Sequence, residues 1–342
     1  MKRISAIIYC LAASFSWGQD IHFTQAQEVP MLINPAATGM FNGWERVAVN
    51  HKNQWVNAGT KFFTTSIAAD MNFFKPKRGD KAHMGIGIQF YNDIGGDSKF
   101  GTKQFLMNFS AIVPLNEMNE LSTGLQVGIG QRTGDLTDII FPNQFNGEVL
   151  DPSINSMEYN NLVSFMYPDV SAGIMYRYGN HKIGFHRDDF TDFRIGFSYQ
   201  HINRPSLKYR LGGAERLYSK FVIHTSFMKD FSGSKLGMET YFIQFIQGPH
   251  NETSFGAILR YRVQDGGKST GLSRDIHLNG GIGYRWKDAI SPILFFEYAS
   301  FKFGLSYDIV VSKFSAVSRA GGLEFSLQYA NLDFAMFKRR RR

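Results

Sequence analysis

The sequence predicts an all-β fold: a transmembrane antiparallel β-barrel of about fourteen strands, of the outer-membrane kind. Three observations carry that expectation. The chain opens on an export signal. Apolar residues then alternate with polar or small ones over many long runs. The apolar faces of those runs hold no charged residue.

Composition narrows the class first. Of 342 residues, 43% are hydrophobic and 15% aromatic, yet the mean hydropathy is −0.22. Apolar residues are therefore dispersed among polar ones. Beyond the N-terminus no run approaches the roughly 18 apolar residues of a membrane helix. So apolar a chain is not disordered.

Residues 1–18 read as a secretory signal peptide. Lys2 and Arg3 form its charged start, Ile4 to Phe15 its apolar stretch, and Ser16-Trp17-Gly18 puts small residues where a signal peptidase cuts. Ile7-Ile8-Tyr9 before Cys10 is no lipobox. Cleavage before Gln19 leaves no cysteine, which excludes a disulfide scaffold and a cysteine metal site. Residues 19–43 carry Pro30, Pro35 and Gly39 and few strand signals. They form either a plug in a lumen or a periplasmic binding segment.

The barrel is expected over residues 44–337. A weak strand at 44–53 precedes 62–73, where Phe63, Thr65, Ile67, Ala69, Met71 and Phe73 share a face opposite Ser66, Asp70 and Asn72. In 82–91, Met84, Ile86, Ile88 and Phe90 oppose His83, Gly85, Gly87 and Gln89. In 104–113, Phe105, Met107, Phe109, Ala111 and Val113 align, and in 121–132 Leu121, Thr123, Leu125, Val127 and Ile129 oppose a face rich in glycine. Later faces begin at Val170, Phe193, Phe221, Phe255, Ile276 and Leu323. Weaker strands are expected at 235–247, 290–299 and 301–310. Asp70, Arg132, Arg194, Glu252, Arg260, Arg285 and Glu324 all fall on the opposite faces. Runs of about 9–13 residues exceed the usual soluble strand of about 5–6 and fit a membrane strand of about 9–11. A lipid-facing Lys or Arg at midplane costs roughly 2–4 kcal/mol, which accounts for the clean faces.

An even strand count places both mature termini on the periplasmic side. The connection at 133–168, the longest, is then extracellular. It carries Asp135, Asp138, Glu148, Asp151 and Glu158 with no Lys or Arg, plus Phe141, Phe145, Leu150, Ile154, Leu162, Phe165 and Met166. That mixture predicts a folded loop that covers the mouth or binds a partner, its acidity suiting a basic protein or Ca²⁺. Residues 338–342 form a basic tail, solvated or meeting anionic lipid or a periplasmic partner.

Several stretches resemble the PorP/SprF family of type IX secretion outer-membrane proteins. They are His22-Phe23-Thr24-Gln25, Asn34-Pro35-Ala36-Ala37-Thr38-Gly39, Asn53-Gln54-Trp55, Phe141-Pro142-Asn143-Gln144-Phe145 and Pro168-Asp169-Val170-Ser171-Ala172-Gly173. His201-Ile202-Asn203-Arg204-Pro205 and Gln247-Gly248-Pro249 follow. The C-terminal part is most similar, in Gly283-Tyr284-Arg285-Trp286-Lys287-Asp288-Ala289, Ser306-Tyr307-Asp308 and Gly321-Gly322-Leu323-Glu324-Phe325-Ser326-Leu327. Gly179 to Asp192 and the basic end depart from the pattern. The resemblance implies a component of type IX export, or an anchor for a large secreted surface adhesin in gliding motility. Its partners are then that adhesin or periplasmic subunits of the machine, with outer-membrane lipid around the wall. The motif residues Asn34, Pro35, Gly39, Trp55, Phe141, Asp151, Asp169, Asn203, Arg204, Pro205 and Trp286 are the candidates for partner contact.

No chemistry competes with this reading. Gly267-Lys268-Ser269-Thr270-Gly271 spells a nucleophile elbow, but a strand follows where a helix is required. Arg262 occupies the place of the first glycine of a phosphate loop. The 9 histidines are scattered with no H-E-x-x-H motif, and His181 and His186 lie five apart in a basic turn. His83, His224 and His277 fall on lumen-facing parity. No catalytic residue, metal or cofactor is expected, and export removes nucleic acid as a partner. The rivals are a channel for hydrophobic or small solutes, which a plug-like N-terminus also suits, and a barrel hydrolase using Ser269.

Overall fold

The computed structural model describes residues 21–54, 62–75, 81–96, 100–134, 139, 141–149, 151, 153–157, 164–179, 190–208, 215–264, 275–312 and 320–331. The signal peptide, Trp55, His181, His186, the 267–271 motif and the basic tail lie outside them.

Fourteen strands close into an antiparallel barrel. The first half is β1 (Glu45–Gln54), β2 (Phe62–Phe73), β3 (His83–Gly95), β4 (Phe100–Pro114), β5 (Asn119–Thr133), β6 (Phe165–Gly179) and β7 (Thr191–Gln200). A small hairpin of β8 (Ser206–Leu207) and β9 (Glu215–Arg216) stands apart. The second half is β10 (Lys220–Asp230), β11 (Leu236–Gln247), β12 (His250–Gln264), β13 (Ile276–Arg285), β14 (Ala289–Tyr298), β15 (Phe301–Val310) and β16 (Ala320–Asn331). Neighbours in sequence pair in space, and β1 closes on β16 with Glu45 opposite Asn331. Closure leaves no sheet edge, which lipid requires, because an unpaired backbone group there has no water to bond.

The strands are longer than the clean alternation. β4 begins at Phe100, before the window that starts at Gln104, and β3 runs on through Asn92 and Asp93 to Gly95. The ladder continues past the zone where one face must be apolar.

Side chains divide as the alternation requires. Ile67, Ile88, Phe105, Leu125, Ile174, Leu259, Ile282, Leu294 and Phe325 stand exposed on the outer wall. Asp70, Gln89, Asn108, Ser122, Arg260 and Glu324 are buried inside. Aromatic clusters mark the two rims. Tyr199 stacks on Phe221 at 4.7 Å, and Tyr284 meets Phe255 and Trp286 edge-on. At the other end Phe301 packs on Tyr329 at 5.0 Å. Such girdles sit at membrane–water interfaces.

One rim carries the ends of β1, β3, β5, β7, β11, β13 and β15, with the described connections 141–149, 201–208, 248–249 and 286–288. The opposite rim carries the connections 115–118, 231–235 and 299–300, with Glu45 and Asn331, the first and last barrel residues.

Residues 21–43 fold inside the barrel as a chain of short turns: a 3-10 turn at Ala26–Glu28, one helical turn at Pro30–Ile33 and a second 3-10 turn at Pro35–Ala37. Pro30 and Pro35 sit at first helical positions, where a missing N–H costs nothing. The Asn34 side chain caps the last turn through the Ala36 N–H at 2.9 Å. Several inward positions are consequently apolar. Ile33 packs with Val222, Ile243, Ile258, Ile293 and Phe295, while Ala36, Ala37 and Met40 pack with Ile112 and Met175.

Candidate functional site

The lumen is where the most side chains converge, and the chain itself fills it. At one side Glu324 accepts the backbone N–H groups of Thr24 and Gln25, at 2.7 and 2.9 Å. The Gln25 amide donates to the Ser306 hydroxyl, and Ser326 donates to Gln25. Asp308 accepts from the Thr24 hydroxyl at 2.7 Å and pairs with Lys52 and Arg285, each at 3.2 Å. Lower on the same side Lys302 pairs with Glu28 at 2.6 Å and lies 4.2 Å over the Phe295 ring.

The far wall holds the next residues. Asn34 is fully buried, and its amide donates to the Ile174 and Phe197 carbonyls at 3.0 and 3.3 Å and meets the His224 ring at 3.0 Å. Those carbonyls are reachable because glycines line the notch. A Cβ on Gly173 would lie 2.0 Å from the Asn34 side-chain oxygen, and one on Gly124 would lie 2.3 Å from the Ala36 nitrogen. Hydroxyls answer three of the plug carbonyls: Ser198 donates to Ile33, Ser122 to Ala36 and Ser110 to Thr38, at 2.6–2.7 Å. Gly39, with φ +71, turns the chain and gives its N–H to Asp70, which Arg46 grips through two nitrogens at 2.8–2.9 Å. The segment thus touches β15 and β16 on one side and β2 and β4–β7 on the other. Two cavities beside it, among the described residues, are small. One cavity of about 20 Å³ lies near Gln104, Asp169 and His201, and one of about 60 Å³ lies near Gln27, Arg194 and His224. Small-molecule sites are typically about 300–1,000 Å³. A wider apolar depression, about 470 Å³, faces outward over Leu294, Phe303, Leu305 and Phe325.

The structure sorts the motif residues into groups. Asn34, Pro35 and Gly39 belong to the plug. Asp169 is buried at the long-loop rim, bound by His201 at 2.8 Å and by the Gln104 amide at 2.7 Å. The same corner gathers Asn203, whose amide donates to the Pro168 carbonyl at 2.8 Å, with exposed Arg204 and buried Pro205. His201 and Arg204 adopt positive φ there.

Phe141 and Asp151 meet through Gln144. The Gln144 side-chain oxygen accepts the Phe141 N–H at 2.8 Å, its amide donates to the Ile154 carbonyl at 2.7 Å, and its backbone carbonyl accepts the Asp151 N–H at 2.8 Å. The Ser153 hydroxyl and N–H bond the Asp151 carboxylate at 2.7 and 2.9 Å and hold it below the ordinary carboxylate range. Trp286 stands exposed on the β13–β14 turn, its ring edge-on to Tyr284.

Sequence reasoning missed Lys52, Glu28, Lys302 and Asp308 as plug contacts. Parity puts Lys52, Lys302 and Asp308 on inward faces, but their partner is a segment that alternation does not describe. Among the described residues no group of His, Cys, Asp and Glu is arranged to hold a metal ion.

Comparison with known proteins completes the description. Solved chains of similar trace include the toluene transporter TbuX of Ralstonia pickettii, at 12% identity and a TM-score of 0.48, covering 89% of this chain and 94% of that one. The β domain of the Bordetella autotransporter BrkA is 9% identical with a TM-score of 0.45, covering 85% and 100%. Haemophilus ducreyi BamA lacking POTRA domains 1–3 is 9% identical with a TM-score of 0.43, covering 84% and 70%. At such scores these likenesses carry no functional weight. No curated protein matches by sequence. The profile of the type IX secretion system membrane protein PorP/SprF matches residues 16–329, nearly the whole chain. This outer-membrane barrel, which is no enzyme, belongs to the PorP/SprF family of type IX secretion system membrane proteins.

Proposed function

We propose that the protein is a sealed outer-membrane anchor, which holds secretion partners by its rims and conducts nothing through its lumen. The observation that supports this is the plug: residues 21–43 fill the bore and bond to walls on both sides. Buried polar atoms satisfied in this way are expensive to separate, because each unmade bond exposes a desolvated group. The channel reading requires a bore or a ligand-sized cavity, and those beside the plug are about 20 and 60 Å³.

In this reading the signal is cleaved before Gln19 and the long-loop rim faces outward. The outer rim, with Phe141, Asp151, Asn203, Arg204, Pro205 and Trp286, then meets a secreted adhesin. The opposite rim and the basic tail meet periplasmic subunits. Asn34, Pro35, Gly39 and Asp169 act indirectly, by fixing plug and rim. Affinity purification of the tagged protein from its host's outer membrane, with mass spectrometry, tests the proposal. Recovery of one very large secreted protein, or of periplasmic secretion subunits, supports it. A barrel that comes out alone contradicts it.

A further inference from the structure

The connection between β5 and β6 has a feature that the barrel does not require. Its described part, 141–149, 151 and 153–157, is folded upon itself. Gln144, buried, ties Phe141, Asp151 and Ile154 together. A second turn closes where Asn146 bonds the N–H groups of Glu148 and Val149 at 3.0 and 2.9 Å. Asn143 reaches the Ser156 carbonyl, and Asn155 caps Met157 at 3.0 Å. The side chains of Asn143, Gln144, Asn146 and Asn155 thus bond within the loop's own frame.

Its apolar groups are directed out. Phe145 is 52% exposed, Val149 60% and Met157 77%. They belong to the connection itself, beyond the end of β5 at Thr133 and before the Phe165–Tyr167 ring pair that opens β6. Lipid around the strands does not account for them. A preformed frame lowers the ordering cost of binding, and exposed apolar side chains on such a frame mark an interaction surface.

Charge indicates what fits. Residues 133–168 include Asp135, Asp138, Glu148, Asp151 and Glu158 and no Lys or Arg. Their field attracts a basic partner and repels an acidic one. We propose that loop 141–157 is a docking face for a basic segment of another protein that carries apolar side chains. Phe145, Val149 and Met157 supply the contact area, and Glu148 supplies attraction and register. The assignment rests on the anchor reading and gives its outer rim a partner chemistry.

The test places a photo-crosslinking residue at Val149 or Met157 of the full-length protein in host cells and sequences the joined peptide. The proposal expects a peptide from a different protein, with net positive charge and apolar residues. The yield should fall several-fold in Glu148→Lys and in high salt, and be lost when Phe145 and whichever of Val149 and Met157 lacks the crosslinker are changed to Ser. Co-purification of the partner should be lost in the triple variant Phe145→Ser, Val149→Ser, Met157→Ser. A neutral or acidic joined peptide, a second copy of this chain, lipid alone or no adduct overturns it. Unchanged heat-modifiable migration of each variant shows that the barrel is intact. If the triple variant still co-purifies its partners at wild-type yield, the anchor reading stands and this face is wrong. If the wild type brings none, the anchor reading itself fails.

Discussion

Two residues show how the wall and the plug depend on each other. Asn34 is held by two backbone carbonyls and a ring nitrogen, in a notch that glycine alone permits. Asn34→Ala leaves those carbonyls buried without that donor, at a cost of about 1–3 kcal/mol. Gly173→Ala pushes a methyl into the same space. Each should lower the unfolding midpoint in detergent, and the double variant should lose less than the sum, because both remove one interaction. Lys52 is fully buried between Asp308 and Thr24. Lys52→Met removes one of the two cations paired with buried Asp308 and leaves Arg285, so it should cost less than the roughly 3–5 kcal/mol of a buried pair broken outright. Urea titration of the refolded protein would measure it.

Asp308 has a second task at this scale. Pairing of β14 with β15 runs from Ile290 opposite Ile309 and resumes at Ile293 opposite Ser306. Pro292, which has no N–H, sits in the gap. Asp308 accepts the Ser291 hydroxyl at 2.7 Å across that seam, so a side chain joins strands where the ladder is interrupted. The Asp308 position is legible as an inward polar residue of a strand, but this role follows from register and cannot be read along the chain.

At the scale of elements, strands were legible in proportion to how one-sided they are. β3 alternates cleanly because its inner face holds His83, Gly85, Gly87 and Gln89, and β4 less so, since inward Leu106 and Ile112 interrupt Gln104, Asn108 and Ser110. β14 reads weakly because both faces are apolar, with Ile293 and Phe295 packed on the plug and Leu294 and Phe296 outward. The plug segment admits two uses in the sequence, since short turns built on Pro30, Pro35 and Asn34 have no period to detect. The outer wall gives a direct prediction. Leu294→Arg places a cation on the lipid side and should destabilise the barrel by about 2–4 kcal/mol in vesicles, whereas Leu294→Met should be nearly silent.

The long loop has its own pH dependence. The Asp151 carboxyl is held below its usual value by Ser153. A depressed pKa in the folded state means that the bond contributes above the unfolded-state value and is lost as pH falls through the carboxylate range. Pepsin should therefore cut loop 141–157 increasingly below about pH 4. Asp151→Asn should be cut at a rate that shows no such step, while the barrel resists in both.

For the whole molecule, closure, strand number and outward face were all present in the alternation, because lipid leaves few alternatives to a closed barrel. What the lumen contains was not. A fourteen-stranded barrel is wide enough for a bore, and only the position of Glu324, Asp308, Lys302 and Ser122 around one segment shows that this bore is occupied. Glycine and serine on the inner faces, read from sequence as a polar lining, are contact points for the backbone of that segment.

The most direct measurement is ion conductance across planar bilayers, comparing the full-length protein with a variant lacking residues 21–43. A sealed anchor predicts no steady conductance for the full chain and open-pore currents for the deletion, which also shows that insertion occurs. Stable channels from the full-length protein would contradict it, and the lumen would then have to be treated as a conduit.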